Sequence, residues 1–443
     1  MGEKKPNRGC LTRGAVIVLI FGTLILAVLA GAFASTDLGS AASVYEVNRD
    51  AAKKAGLFFT DAEIEEHFKV PDADNGMTLL AKLDEKPIGS PDDLTDAEIR
   101  GRKVVIDAAT NLFAEVSKRK FLISKKHGMF VPFGDSAKEK FGVKLLCRMA
   151  KYSSDQGDLI ACQGYFHSAA HLANAADDEG GAIPILVRIA CAAIVEARLK
   201  RLIANHVNDP AWLSLIEATL KELDQPYDLV TMLKMDHRER LQVSIDIKKE
   251  PMTLEQMRSN EFFPLSMRLG YYLPRYKEAS LSRTHEYYSG LANLLPSDPY
   301  DWVQMQRAVA FSNAYTARKG WSYEAMMEPE FDGLPRAVWK EISNRNALFQ
   351  AVAILRSHAD PAKGLPLKGR YQLDLDGKPI RIKHLEKGWV VYSLFDRDDD
   401  GGQELVKGNG DFVVHLSAAT APPEIQPRGQ KAIGIGAGSP SAP

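Results

Sequence analysis

From Gly14 to Thr36 the chain carries no charged side chain. Within that stretch Ala15 to Ala34 supplies 20 mostly apolar residues, which at about 1.5 Å of rise each cover a hydrocarbon core of roughly 30 Å. A helix of that kind leaves water, so everything after it must fold on one side of a membrane. Lys4, Lys5, Arg8 and Arg13 precede the run against Glu3 alone, and Asp37 is the first charge after it. This bias predicts a cytoplasmic basic segment at 1–13, a transmembrane anchor at 14–36 and a body outside the cytoplasm. Ala32-Phe33-Ala34 also has the small-x-small form of a signal-peptidase site, and cleavage after Ala34 would release the same body on the same side. The run is longer than an ordinary signal core of roughly 7 to 15 residues, which favours the retained anchor. Cys10 precedes the apolar run and reads as a juxtamembrane thiol.

With 443 residues, 45% of them hydrophobic, the chain has material for one large or two medium folded units beyond the anchor. Lys plus Arg number 56 against 57 for Asp plus Glu, a balance that argues against nucleic acid as a partner. Cys147, Cys162 and Cys191 are too few and too scattered for a disulfide framework or a cysteine-rich zinc site. Cys147 and Cys162 flank the turn at Asp155-Gln156-Gly157 at similar distances. Either they pair across a helical hairpin or they are two buried apolar thiols.

Between Ser43 and Leu355 apolar residues return at three- and four-residue spacing, with Pro, Gly or Asp at the breaks, so the body, 37–360, reads as mainly α. Thr60 before Asp61-Ala62-Glu63 and Thr95 before Asp96-Ala97-Glu98 read as helix caps with acidic first turns. Val70 to Asp93 reads as loop-bearing. Phe141 to Tyr152 and Leu159 to Ala176 read as a helical pair. A third long helix is expected from Ile183 to Ala204, with Ile185, Leu186, Ile189, Ala193 and Ala197 on one face; its Arg188 and Glu196 argue against a second span. Asn208-Asp209-Pro210 and Ser297-Asp298-Pro299 each offer a cap followed by proline at the first helical position. Trp212, Ile216, Leu220 and Leu223 then form one apolar stripe, read as a core face of a helical bundle, with a partner-helix groove as the second reading. Past Leu367 the period shortens: Ile380-Arg381-Ile382, Trp389 to Tyr392 and Phe412 to Leu416 predict a small antiparallel β module within 361–417. From 418 to 443 the composition is that of a disordered tail.

The sharpest chemical signal is Asp396-Arg397-Asp398-Asp399-Asp400-Gly401. It has the D-x-D-x-D-G form in which alternate carboxylates converge on one hard cation and glycine permits the turn. Lys407 stands where an EF-hand needs its bidentate glutamate, so Glu404 or Asp411 would have to close the shell. The carboxylates between Asp396 and Glu404 are opposed in sequence only by Arg397, which makes a divalent ion a natural neutraliser. The candidate metal ligands are therefore Asp396, Asp398, Asp400, Glu404 and Asp411, with Ca2+ as the ion; the other reading is a solvated acidic turn. His167 and His171, four apart on one helix, are compatible with two further ligands, with Asp177, Asp178 or Glu179 as a third. Cys162 and His167 are not placed as a thiol catalytic pair, and the sequence holds no G-x-S-x-G turn, phosphate-binding loop or dinucleotide fingerprint.

In layout the chain resembles uncharacterised bacterial single-span membrane proteins with a helical extracytoplasmic body and a short β-prone ending. Gln156-Gly157-Asp158 with Tyr165, Ala169, His171 and Leu172 is similar to a tetratricopeptide hairpin, without a second copy at the repeat period. Asp376-Gly377-Lys378-Pro379-Ile380, Gly388 to Leu394 and the Asp-rich turn resemble the strand and calcium-loop ending of major pseudopilins from type II secretion. That resemblance implies calcium-ligand roles for Asp396, Asp398, Asp400 and Asp411. Gly14 to Ala34 lacks the glutamate that a pseudopilin carries early in its mature helix. These readings lead to a single-pass protein of the bacterial cytoplasmic membrane. Its partners would be the lipid bilayer, through 14–36, and an envelope protein, and it would act as a scaffold or interaction protein with a structural calcium loop. The alternative is an extracytoplasmic metal-dependent hydrolase.

Overall fold

The computed structural model describes residues 39–120, 122–123, 134–178, 180–249, 276–296, 298, 300–317, 333–386, 388–394, 399, 401–402 and 410–417. The expected anchor at 14–36 and the tail at 418–443 lie outside them. Among the described residues no helix is long and apolar enough to cross a membrane.

The body is mainly α, as its spacing predicts. In chain order the helices are α1 (Tyr45–Lys54), α2 (Asp61–His67), the single turn α3 (Met77–Leu80), α4 (Asp96–Gly101), α5 (Lys103–Val116), α6 (Gly134–Asp155), α7 (Leu159–Ala175), α8 (Ala182–Asn205), α9 (Pro210–Leu223), α10 (Leu229–Lys249), α11 (Tyr276–Leu294), α12 (Trp302–Ala317) and α13 (Gly333–Ser357). Both threonine caps form as full capping boxes: Thr60 and Thr95 accept from the N–H groups of Glu63 and Glu98, whose carboxylates bond back. Asp209 caps α9 with Pro210 in the first turn. The second Asp-Pro signal is displaced. Asp298 Oδ1 accepts from Tyr300 N (2.9 Å) in a turn, and Asp301 Oδ1 accepts from Gln304 N (2.9 Å), so α12 begins at Trp302 on the aspartate three residues further on.

The α6–α7 hairpin turns at Gly157, whose φ of +75° is ready only for glycine, and Asp158 caps α7 through Ala161 N (3.0 Å). Ala169, Ala170 and Ala173 on α7 are buried, small enough for close approach of the flanking helices. A Cβ on Gly142 of α6 would stand 2.5 Å from the Phe113 ring, so that glycine makes room for the largest side chain α5 buries. Trp212, Ile216, Leu220 and Leu223 are all buried, as a core face.

Apolar side chains gather in two main clusters. One draws on α3 to α9, the C-terminal half of α13 and the sheet; the other on α1, α10, α11, α12 and the N-terminal half of α13. On α13 the change from one cluster to the other is marked by Glu341 and Arg345, both almost fully buried. The strands β1 (Arg381–Leu385), β2 (Gly388–Ser393) and β3 (Phe412–His415) form an antiparallel sheet in sequence order, with Val391 opposite Ile382 and Val414. Ile380, Val391 and Val414 enter the first cluster, so the sheet is a wall of the body against α13 and α8.

One expectation needs correction. The buried face of α8 is Ile185, Arg188, Cys191, Ala192, Val195, Glu196 and Leu199, whereas Leu186, Ala193 and Ala197 point outward. Two charged residues lie on the inner face, which is why apolarity alone chose the wrong side. Of the two readings of Cys147 and Cys162, the structure shows the buried thiols: both, with Cys191, are free, and burial pushes each up to about 12.

Candidate functional site

An open groove of about 710 Å3 is walled by segments far apart in sequence. The end of α2 and the chain after it supply His67 to Pro71. The segment past α5 supplies Lys120 and Ile123, and α7 supplies His167, His171 and Asn174. Asp177 and Asp178 follow α7, Arg188 comes from α8, Glu222 from α9, and Asp228 and Thr231 from the start of α10.

Most of its polar side chains are held by partners. Buried Asn75 clamps Ile123 from both sides, donating to its carbonyl (2.7 Å) and accepting from its N–H (3.1 Å). Asp178 accepts from Leu122 N (2.9 Å). The floor is an ion pair removed from solvent: Arg188 Nη1 meets Asp177 Oδ2 at 2.8 Å, and the guanidinium also donates to the carbonyls of Pro226 (2.9 Å) and Gln225 (2.6 Å) while stacking 4.1 Å from the Tyr227 ring centroid. Burial works against charge on Arg188, but Asp177, Tyr227 and Glu341 together outweigh it, while burial raises the Asp177 carboxyl against the pull of Arg188. Without these bonds the buried guanidinium would cost several kcal/mol.

His167 Nδ1 lies 2.6 Å from Glu222 Oε1, and His171 Nε2 lies 2.8 Å from the carbonyl oxygen of Arg119. Both acceptors lack protons, so His167 carries its hydrogen on Nδ1 and His171 on Nε2. Burial lowers the pKa of His171, and burial with nearby Lys234 lowers that of His67. Of the third ligands considered for the histidine pair, Asp177 is committed to Arg188 and Asp178 to Leu122, and Glu179 lies outside the described residues. Among the described residues no group of three or more His, Cys, Asp or Glu side chains is placed to share one metal ion.

Of the Asp-rich loop, Asp396, Asp398, Asp400 and Glu404 lie outside the described residues. Asp411, just ahead of β3, is buried and accepts from Gly402 N (3.0 Å). Asp399 accepts from Arg381 Nε (3.1 Å), Gly401 N (2.8 Å) and the Tyr392 hydroxyl (3.3 Å), and Lys383 donates to the Gly401 carbonyl (2.5 Å). The same Arg381 also binds Asp374 and Asp376. Folding therefore brings two cations to a turn that in sequence faces only Arg397. Asp374 is fully buried, and burial pushes its carboxyl up to about 6 against the pull of its backbone bonds and Arg381.

Behind the groove lies a charge cluster that apolar patterning could not reveal. Arg345 donates to Glu341 (2.8 Å) and to the Leu223 carbonyl (2.7 Å), and its Nε stands 3.5 Å from Asp224. Asp224 in turn accepts from the hydroxyls of Tyr300 (2.7 Å) and Tyr371 (3.2 Å) and pairs with Arg370. Glu196 is fully buried, and burial together with the neighbouring Glu341 raises its pKa well above the carboxylate range, so it is held as the neutral acid.

Among the described residues one Ser–His contact occurs elsewhere: Ser154 Oγ lies 3.4 Å from His206 Nε2. Asp209, the nearby carboxylate, is spent on the N–H groups of Ala211 and Trp212, and the pair has no hydrolase geometry. No protein-family model, curated protein or solved structure matches this chain.

Proposed function

We propose that this protein is a membrane-anchored, extracytoplasmic helical interaction protein that offers its groove to an envelope partner and carries a structural Ca2+ at the Asp-rich loop. The observation that carries the reading is the preformed groove: four of its separate stretches of chain, 120–123, 167–178, 188 and 222–226, are pinned by Asn75, Asp178, Arg188 and Glu222. Side chains already paired cost little to order when a ligand arrives, which suits recognition. Phe68, Val70, Pro71 and Ile123 add an apolar wall beside exposed Lys69 and Lys120, the mixture expected at a protein-binding rim and core. The calcium reading draws support from Asp411, whose carboxylate ties the foot of β3 to Gly402.

The test places a photocrosslinking residue at Val70 in the groove and, as control, at exposed Val303 on α12, in the full chain in native membranes. A discrete adduct from Val70 and not from Val303 is expected. A folded, membrane-located protein giving no Val70 adduct would sink the interaction reading. The calcium part is separate: Asp398→Ala with Asp400→Ala should abolish a Ca2+-dependent thermal shift, which for an intact site at about 100 times its dissociation constant amounts to roughly 2.7 kcal/mol. An unchanged Ca2+ response removes those aspartates from the site.

A further inference from the structure

Each histidine of α7 has one ring nitrogen hydrogen-bonded to an acceptor on another element, a pattern common to metal-binding imidazoles. They stand at i and i+4, so their Cβ atoms lie about 5–6 Å apart on one helix face, and both line the groove. One ring nitrogen of each is tied to an acceptor supplied by another element: His167 Nδ1 to the Glu222 carboxylate of α9 at 2.6 Å, and His171 Nε2 to the Arg119 carbonyl past α5 at 2.8 Å. A carboxylate or carbonyl that takes the N–H fixes the tautomer, holds the ring and leaves the opposite nitrogen as a lone-pair donor. His167 is thereby left with Nε2 and His171 with Nδ1. The orienting partners are themselves anchored, since Asn174 of α7 donates to the Glu222 carbonyl (2.5 Å) and Lys120 N bonds Asp74 O (3.0 Å) just past Arg119.

We propose that His167 and His171 form a two-nitrogen site for a borderline divalent metal, Zn2+ or Cu2+, in the wall of the groove, with water or a bound molecule filling the remaining positions. Two imidazoles suit these ions in preference to Ca2+ or Mg2+. Two protein ligands leave the ion open and exchangeable, where a structural zinc site is closed by four. The site is distinct from the Asp-rich loop and goes beyond the interaction role, since it requires neither Val70 crosslinking nor a Ca2+ response.

The experiment uses the full chain in detergent, stripped of metal, titrated with Zn2+ by calorimetry and with Cu2+ by electron paramagnetic resonance. One equivalent of either metal is expected, with nitrogen hyperfine structure in the Cu2+ spectrum. His167→Ala and His171→Ala should each abolish that equivalent, Glu222→Gln should weaken it about tenfold through loss of the orienting carboxylate, and His206→Ala should leave it intact. His167 is 57% exposed, so its replacement by alanine leaves the fold in place and decides the matter even if His171→Ala disturbs packing. Absence of binding, or an equivalent bound unchanged by His167→Ala, overturns the proposal. A Cu2+ spectrum with oxygen ligands alone does the same.

Discussion

Between α10 and α11 lies a buried histidine pair whose removal should change how stability depends on pH. His237 of α10 donates from Nδ1 to the Phe58 carbonyl (2.8 Å), and its Nε2 lies 2.9 Å from His285 Nδ1 on α11. Phe59 lies 5.1 Å and 5.3 Å from the two rings, and Tyr45 and Tyr288 close the cage. Burial lowers His237 to about 4 and, with His237, Arg49 and Lys53 adding repulsion, lowers His285 to about 3. Unfolding returns both to about 6.5. A histidine depressed in the native state contributes stability that is fully present above the unfolded value and is lost as pH falls below it, because the unfolded chain binds the proton first. Between pH 7.5 and 5.5 each histidine therefore loses about 1.3 kcal/mol and the pair about 2.7 kcal/mol. Two carboxyls run the other way. Asp236, raised by burial to about 7, and Asp374, raised by burial to about 6, bind protons in the native state first. Over the same interval they return at most about 1.9 and about 0.8 kcal/mol. These four groups nearly cancel in the wild-type protein, so a flat profile says nothing of the pair. His237→Gln with His285→Asn removes only the histidine contribution. Urea unfolding followed by circular dichroism should show the wild-type advantage over this variant shrinking by about 2.7 kcal/mol from pH 7.5 to 5.5. A constant difference would refute the claim that both imidazoles are neutral in the native state.

Arg345→Met should leave buried Glu341 without its cation, while Asp224 keeps Arg370 and two tyrosine hydroxyls, and cost about 3–5 kcal/mol, read as a lowered unfolding midpoint. Glu196→Gln should cost less than about 1 kcal/mol at pH 7, because amide and neutral acid are close in shape and charge, whereas a loss comparable to that of Arg345→Met would show Glu196 to be ionised. Gly142→Ala should destabilise by about 1–3 kcal/mol by driving a methyl into Phe113, and Phe113→Leu in the same chain should recover part of that loss. Cys147, Cys162 and Cys191 should resist a thiol reagent at pH 8 until denaturant is added, since burial holds each near 12; rapid native labelling of any one contradicts its place in the core.

Helix existence was legible in the sequence wherever a cap and an apolar period coincided. Thr60, Thr95 and Asp209 are local signals, because a capping side chain bonds backbone two or three residues away and needs no tertiary contact. The β-prone runs were equally local, since Trp389 to Tyr392 and Phe412 to Leu416 are short stretches rich in aromatic and β-branched residues in the chain itself. Orientation was not local. On α8 the residues that choose the inner face are Arg188 and Glu196, and periodicity counts both as outward. Their burial is tolerable only because Asp177, Gln225 and Pro226 receive the arginine and because the glutamate gives up its charge beside Glu341. The groove was hidden for the same reason. His167 and His171 stood out as a pair, but Glu222, Arg119 and Asn75 acquire meaning only through bonds spanning about fifty residues of chain. The Asp-rich turn shows the reverse error: in sequence its charge looked unopposed except for Arg397, and folding supplies Arg381 and Lys383. Where a residue's environment is set by chain that is distant in sequence, pattern identifies the candidate and tertiary electrostatics decides its role. That is why the Asp-rich loop, the histidine pair of α7 and the buried Glu196 call for three separate measurements.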